Sequence, residues 1–115
     1  MAHRQTPLAT VAESKTIEKP EGVFRTTLSY NEQSMLCHFR MSAGAQIPLH
    51  DHEAVQNGYV ISGSIRFLRE DGSSFVATAG TSYVFGSMEK HGAEVLADAE
   101  LIECFTPMRP EYADR

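Results

Sequence analysis

Three histidines and one glutamine carry the plainest chemistry in this 115-residue chain. His50 and His52 are separated by one residue, so in an extended segment their rings point the same way. Gln56 lies four residues further on, an even step, and joins that face if the extended conformation continues. Imidazole nitrogens are the usual ligands for Zn, Fe, Ni and Cu, and an amide oxygen can complete such a set. A lone His-X-His is a weak signal, because strand histidines are as readily hydrogen-bonded or exposed. Gly44 before the pair and Gly63 after it supply the bends that a short barrel strand needs at both ends. His91 belongs to the same set but opens a much later strand, so only the tertiary fold can bring it to the pair. His3, in an N-terminal tail, and His38, on the same strand face as Arg40, are expected at the surface.

A second constellation closes the chain, from Glu103 through Phe105 to Arg109. By strand alternation Leu101, Glu103 and Phe105 share a face, opposite Ile102 and Cys104. Both faces are largely apolar, so the pattern leaves open whether the Glu103 carboxylate points inward or to solvent.

The elements that must position these groups read as short strands divided by turn residues. Residues 1–22 are polar and mixed, with Pro7, Pro20 and Gly22 as breaks, and are expected to form an arm with an edge strand. The β-rich runs are 23–30, 35–41, 58–62, 64–69, 74–78, 81–85, 91–96 and 100–106. Asp71-Gly72 suits the positive φ of a tight hairpin turn. Met35, Cys37, Phe39 and Met41 alternate onto one face and are expected in the core. Residues 107–112 form a turn or a short helix. Many short strands without helical periodicity predict an all-β sandwich or barrel, with 1–22 as arm, 23–110 as barrel and 111–115 as tail.

Composition narrows the class further. Hydrophobic content of 42% and charged content of 22% are ordinary for one globular domain. A net charge of -5 without a Lys/Arg-rich run argues against nucleic acid or an anionic membrane as partner. Apolar runs are too short for a transmembrane helix, and the first residues lack the apolar core of a signal peptide. Cys37 and Cys104 do not make a disulfide framework, so a cytoplasmic location with reduced thiols is expected.

The spacing Gly44-x5-His50-x-His52-x3-Gln56-x6-Gly63 resembles the first characteristic motif of the cupins, with Gln56 at the usual Glu position. A second cupin-like motif runs from Gly80 through Gly86 to His91. There Gly86 stands where the family usually has Pro, and Met88 where it often has Gly. The resemblance spans roughly residues 23–110 and implies a cupin double-stranded β-helix, or jelly-roll β-barrel. It also implies a metal site of His50, His52, Gln56 and His91, holding Ni, Zn, Fe or Mn. Four neutral ligands leave the full dication charge on the ion, favouring Lewis-acid polarisation of a hydroxyl or carbonyl oxygen.

The closing run from Ile102 to Tyr112 is similar to that of single-domain cupins associated with pectin breakdown. In that group the acidic residue at the Glu103 position is usually Asp, and it lines the substrate cavity with the Phe and the Arg. The resemblance therefore implies that Glu103 shuttles a proton, Arg109 binds a substrate carboxylate and Phe105 packs on a sugar ring. Tyr59 and Tyr83 are further candidates for the cavity, with core packing as the plainer alternative for each. The implied activity is conversion of a cyclic 4,5-unsaturated uronate to its linear keto form by a homodimer. A cupin dioxygenase and a non-catalytic cupin holding a metal or small acid are the competing expectations.

Overall fold

The structure, a computed structural model, describes residues 6–113; His3 lies outside the described residues. Eight strands follow one another: β1 (Thr16–Glu18), β2 (Val23–Tyr30), β3 (Met35–Met41), β4 (Gln46–His50), β5 (Val55–Arg69), β6 (Ser74–Thr78), β7 (Ser82–Phe85) and β8 (His91–Thr106). A 3-10 turn, Pro110–Tyr112, comes after them. Pairing is antiparallel, in the order β1-β2-β3-β8-β5-β6, with β4 also on β8 and β7 also on β5. This is the all-β jelly-roll expected from the strand pattern and the resemblance.

Two long strands organise the barrel. The first half of β5 pairs with β7 and with the end of β8, while its second half pairs with β6 and the start of β8. The sequence pattern divides each of these strands in two, at Gly63 and at residues 97–99. The chain instead bends without breaking, through register shifts between Val60 and Ile65, and the ladder continues from Ser62↔Glu100 to Ser64↔Ala97. Gly63 makes the bend possible. Its φ is +88°, and a Cβ there would stand 2.1 Å from the Asp98 carbonyl oxygen. The hairpin expected at Asp71-Gly72 is present, with Gly72 at φ +86° and the Arg69 amide donating to the Ser73 carbonyl.

Inward residues of every long strand meet in one core. Met35, Cys37, Val60, Ile65 and Leu101 are fully buried, and Phe39 and Met41 nearly so, as their alternation predicts. Phe67, Phe75, Tyr83 and Phe85 form a ring cluster with centroids 4.3–6.0 Å apart. Burial of each such side chain contributes roughly 1.5–3 kcal/mol. His38 departs from expectation. It is buried, and its Nε2 lies 2.7 Å from Glu100 Oε2. The cause is its place on β3, an interior strand where Thr26 of β2 and Ile102 of β8 flank it.

Gly58 couples this packing to the interior polar groups. A Cβ at Gly58 would lie 2.2 Å from the Tyr83 ring, so only glycine lets that ring cross β5. Gly58→Ala should therefore cost about 1–3 kcal/mol, the usual scale of overpacking. Urea denaturation reads this as a lower midpoint at unchanged slope; an unchanged midpoint would show that the ring has room to move.

Candidate metal centre and adjoining cavity

β4 ends at His50, which pairs in register with His91 at the start of β8. His52 follows in the β4–β5 connection, and Gln56 is the second residue of β5. The connection is held by the Met88 amide, which donates to the His52 carbonyl at 2.8 Å. Met88 takes φ +61° to do so, in the left-handed region, at the position where the resemblance points to Gly. The ligand nitrogens of His50, His52 and His91 all lie within 4.8 Å of one another. A cluster able to hold a divalent metal is thus present, drawn from two separated stretches of chain.

Hydrogen bonding sets the tautomer of each ring. Nδ1 of His50 faces the Pro48 carbonyl at 2.9 Å, that of His52 the Ala54 carbonyl at 2.7 Å, and that of His91 the Glu89 carbonyl at 2.8 Å. A carbonyl only accepts, so the neutral ring carries its proton on Nδ1 and presents a bare Nε2 lone pair. Gln56 Oε1 sits 3.1 Å from Nε2 of both His52 and His91. The amide orientation follows from its other end, where Gln56 Nε2 donates to Glu103 Oε2 at 2.7 Å. Acceptor atoms thus face one another across a gap that a cation relieves. Ligands at right angles on metal bonds of about 2.1 Å stand about 3.0 Å apart, so the donor set fits a bound ion.

Burial holds two of the rings neutral. The pKa of His91 is pushed down to about 4, chiefly by desolvation. That of His52 is lowered as well, first by burial and then by the nearby Arg109 guanidinium. The Phe85 ring lies 4.4 Å from His91 and parallel to it within 2°, fixing the imidazole plane.

A cavity opens beside this centre, about 510 Å³ counting its mouth. His50, Gln56, His91, Glu103, Phe105 and Arg109 line it, with Lys19 and Pro20 of the β1–β2 connection and Tyr112 of the closing turn. Glu103, whose direction the apolar pattern leaves open, is inward and 4% exposed. Its Oε2 accepts from Gln56 Nε2 and, at 2.5 Å, from the Tyr83 hydroxyl, while Oε1 has no hydrogen-bond partner among the described residues. Burial raises the Glu103 pKa, against the lowering effects of Tyr83, Gln56 and Arg109. The Tyr83 pKa is also raised, first by desolvation and then by the Glu103 charge, so its hydroxyl remains a donor. Tyr83 therefore sits behind Glu103 and does not line the cavity.

Tyr59 does not belong to the site. It lies an odd step from Gln56 on β5, so its side chain points outward and is 48% exposed. Two contributors go unrecognised in the sequence. Phe85, which stacks on His91, is within reach of strand alternation. Tyr112 follows the last strand, where no periodicity applies.

The His91 shift has a definite sign for stability. Below the ordinary histidine pKa of 6.5 the unfolded chain takes up a proton that the metal-free fold refuses until about pH 4. Metal-free protein should therefore lose stability as pH falls from 6.5 to 4, and His91→Ala should flatten that slope in thermal denaturation. The same variant should hold well under the roughly one ion per chain expected of the parent. Equal metal content in the two, by elemental analysis, would remove His91 from the centre.

Residues 37–104 match the cupin domain family. An RmlC-like cupin from Shewanella frigidimarina NCIMB 400 is similar in structure at 26% identity and TM-score 0.86, over 97% of this chain and 99% of that one. KdgF from Halomonas sp. is similar at 25% identity and TM-score 0.83, over 92% of this chain and 97% of that one. An oxalate decarboxylase variant from Bacillus subtilis, at 20% identity and TM-score 0.74, shares the fold over 98% of this chain and 33% of its own length. No curated protein matches the sequence. Because the family match covers more than half of the residues and includes His50, His52, Gln56 and His91, this chain belongs to the cupins.

Proposed function

We propose that this cupin is a metal-dependent enzyme that opens a cyclic 4,5-unsaturated uronate, of the galacturonate type, to its linear keto form. The observation that carries the reading is the convergence of Glu103, Arg109 and the His-Gln centre on one open-mouthed cavity. Ring opening is an isomerisation. The anomeric hydroxyl loses a proton, C1 becomes a carbonyl as the C1–O5 bond breaks, and the resulting C5 enolate gains a proton at C4. Atoms and electrons balance without an oxidant.

His50, His52, Gln56 and His91 would hold the ion, of which Ni, Zn, Fe and Mn are the candidates. A bound dication supplies Lewis-acid stabilisation of sugar oxygens as their charge develops. Arg109 binds the substrate carboxylate through its guanidinium fork. Its side chain is 12% exposed, and its Nε is buried without a partner among the described residues. Phe105, 1% exposed, supplies an apolar wall for the sugar ring. Glu103 moves the proton. With Oε2 held by Gln56 and Tyr83, its free Oε1 is the atom available to the substrate. Burial raises the pKa of this carboxyl, which makes it a better proton acceptor than a solvated carboxylate and lets it return the proton afterwards.

A homodimer in the cytoplasm completes the proposal. The outer face across β7, β5, β8 and β3 presents Val84, Tyr59 and Leu36, each at least 36% exposed, as a surface for a second copy. Cys37 and Cys104 are free, in keeping with a reducing compartment. Among the described residues no helix is long and apolar enough to cross a membrane.

The test follows the ultraviolet absorbance of the conjugated C4=C5 bond when metal-loaded protein meets unsaturated galacturonate. Loss faster than the spontaneous rate, abolished by metal removal, is expected. Arg109→Ala should lower kcat/KM about 100-fold, the scale of a lost charge-assisted contact of about 3 kcal/mol. No loss with any of the four metals, in folded and loaded protein, would end the uronate reading.

A further inference from the structure

Tyr112 brings a hydroxyl to the cavity wall, where the other rings besides the histidines, Phe39, Phe67 and Phe105, are apolar. Its ring is firmly held. The guanidinium carbons of Arg25 and Arg109 lie 4.1 and 4.2 Å from its centroid, and two cations stacked so closely cannot share one face, so each covers its own. The Phe105 ring meets it edge-on, with centroids 5.5 Å apart and planes at 75°. Its backbone is tied as well. The Tyr112 amide donates to the Arg109 carbonyl at 2.9 Å, and the Thr27 hydroxyl donates to the Tyr112 carbonyl at 2.8 Å.

The Tyr112 hydroxyl, by contrast, has no hydrogen-bond partner among the described residues, whereas that of Tyr83 is committed to Glu103. Nor is it sealed off. Among the described residues the fully buried side-chain polar atoms left without a partner are Arg25 Nη2 and Arg109 Nε, so the Tyr112 oxygen keeps accessible surface. Burial raises its pKa, ahead of a lowering effect from Arg109 and a raising effect from Glu103, and the hydroxyl therefore keeps its proton. Those two charges both line the cavity, which puts the phenol oxygen within electrostatic reach of the groups that would handle a ligand. Binding cavities orient their ligands through a few such fixed polar groups in a largely apolar wall.

The reaction gives this donor a target. Arg109 takes the substrate carboxylate, which is carried on C5, and C5 also carries the ring oxygen O5. A hydroxyl on the ring stacked against that guanidinium therefore stands on the O5 side of the sugar. When the C1–O5 bond breaks, its electron pair passes to O5, which becomes the oxygen of the C5 enolate. Protonation at C4 then leaves O5 as the new keto oxygen. Negative charge on O5 rises and falls within one turnover, and a fixed donor stabilises it without giving up its own proton.

We propose that Tyr112 is a further substrate-contacting residue, whose hydroxyl donates a hydrogen bond to the ring oxygen O5 of the uronate held by Arg109. The inference rests on the uronate reading above and deepens it. Arg109 fixes the acid, Glu103 moves the proton, and Tyr112 stabilises the charge that ring opening puts on O5.

Tyr112→Phe tests this, because it removes the hydroxyl and keeps the ring between its two guanidiniums. Zinc-loaded variant titrated calorimetrically with D-galacturonate should bind it roughly two- to tenfold more weakly than the parent, the worth of a neutral hydrogen bond. With unsaturated galacturonate as substrate, kcat should fall about tenfold, because the bond strengthens as O5 gains negative charge. The melting temperature should not fall, since no bond within the fold is lost. Equal affinity with equal kcat overturns the proposal. So does weaker binding at unchanged kcat, which would put the hydroxyl on a group whose charge does not change. A lower melting temperature would show that the fold itself uses the hydroxyl, and would overturn it too. Parent protein that binds galacturonate more tightly than the variant yet leaves the unsaturated sugar unchanged would end the reaction assignment, while the Tyr112 contact with the sugar acid would stand. Turnover and affinity that are the same in parent and variant would do the reverse.

Discussion

Three hydrogen bonds from imidazole Nδ1 to backbone carbonyls are the constraint on which the rest of the centre depends. Each is made to a carbonyl two residues from the histidine in sequence, so the local chain conformation sets the ring tautomer. The bare Nε2 atoms then converge only because β4 lies on β8 and β8 lies on β5. Bending β5 and β8 without breaking them brings both ends of each strand to the same cavity. Gly63 and the Asp98 carbonyl, in van der Waals competition for one space, show how little freedom the bend has.

Gln56 joins two kinds of chemistry. Its oxygen faces the histidine nitrogens, and its amide nitrogen donates to Glu103. A carboxylate at position 56 would place two acids 2.7 Å apart, and they would have to share a proton. The amide avoids that conflict, and among the described residues Glu103 is the one acidic side chain lining the cavity. Viewed from the sequence, glutamine in the ligand set bears on Lewis acidity. In the fold its second consequence is to hold the orientation of Glu103.

What can be read from the sequence follows the range of the forces involved. The jelly-roll is legible because strand patterning and glycine placement are local, whereas the His50, His52 and His91 cluster is legible through the family resemblance, since His52 stands in the β4–β5 connection where strand parity does not apply. Parity also places Tyr59 outside, since it is an odd step from Gln56, and Arg25 inside, since it is an even step from Val23. The direction of Glu103 is not legible, because apolar neighbours on both faces of β8 cancel the usual signal. His38 is misplaced by its pattern because its burial depends on which strands flank β3. Tyr112 reaches the cavity from a 3-10 turn that has no period to read.

The most direct measurement is a crystal structure of zinc-loaded protein with anomalous data at the zinc edge. The account predicts one ion, at about 2.0–2.2 Å from Nε2 of His50, His52 and His91 and Oε1 of Gln56, with all three Nδ1 atoms still bonded to their carbonyls. An ion bound through Nδ1, held by Glu103 in place of Gln56, or found elsewhere on the chain would contradict it.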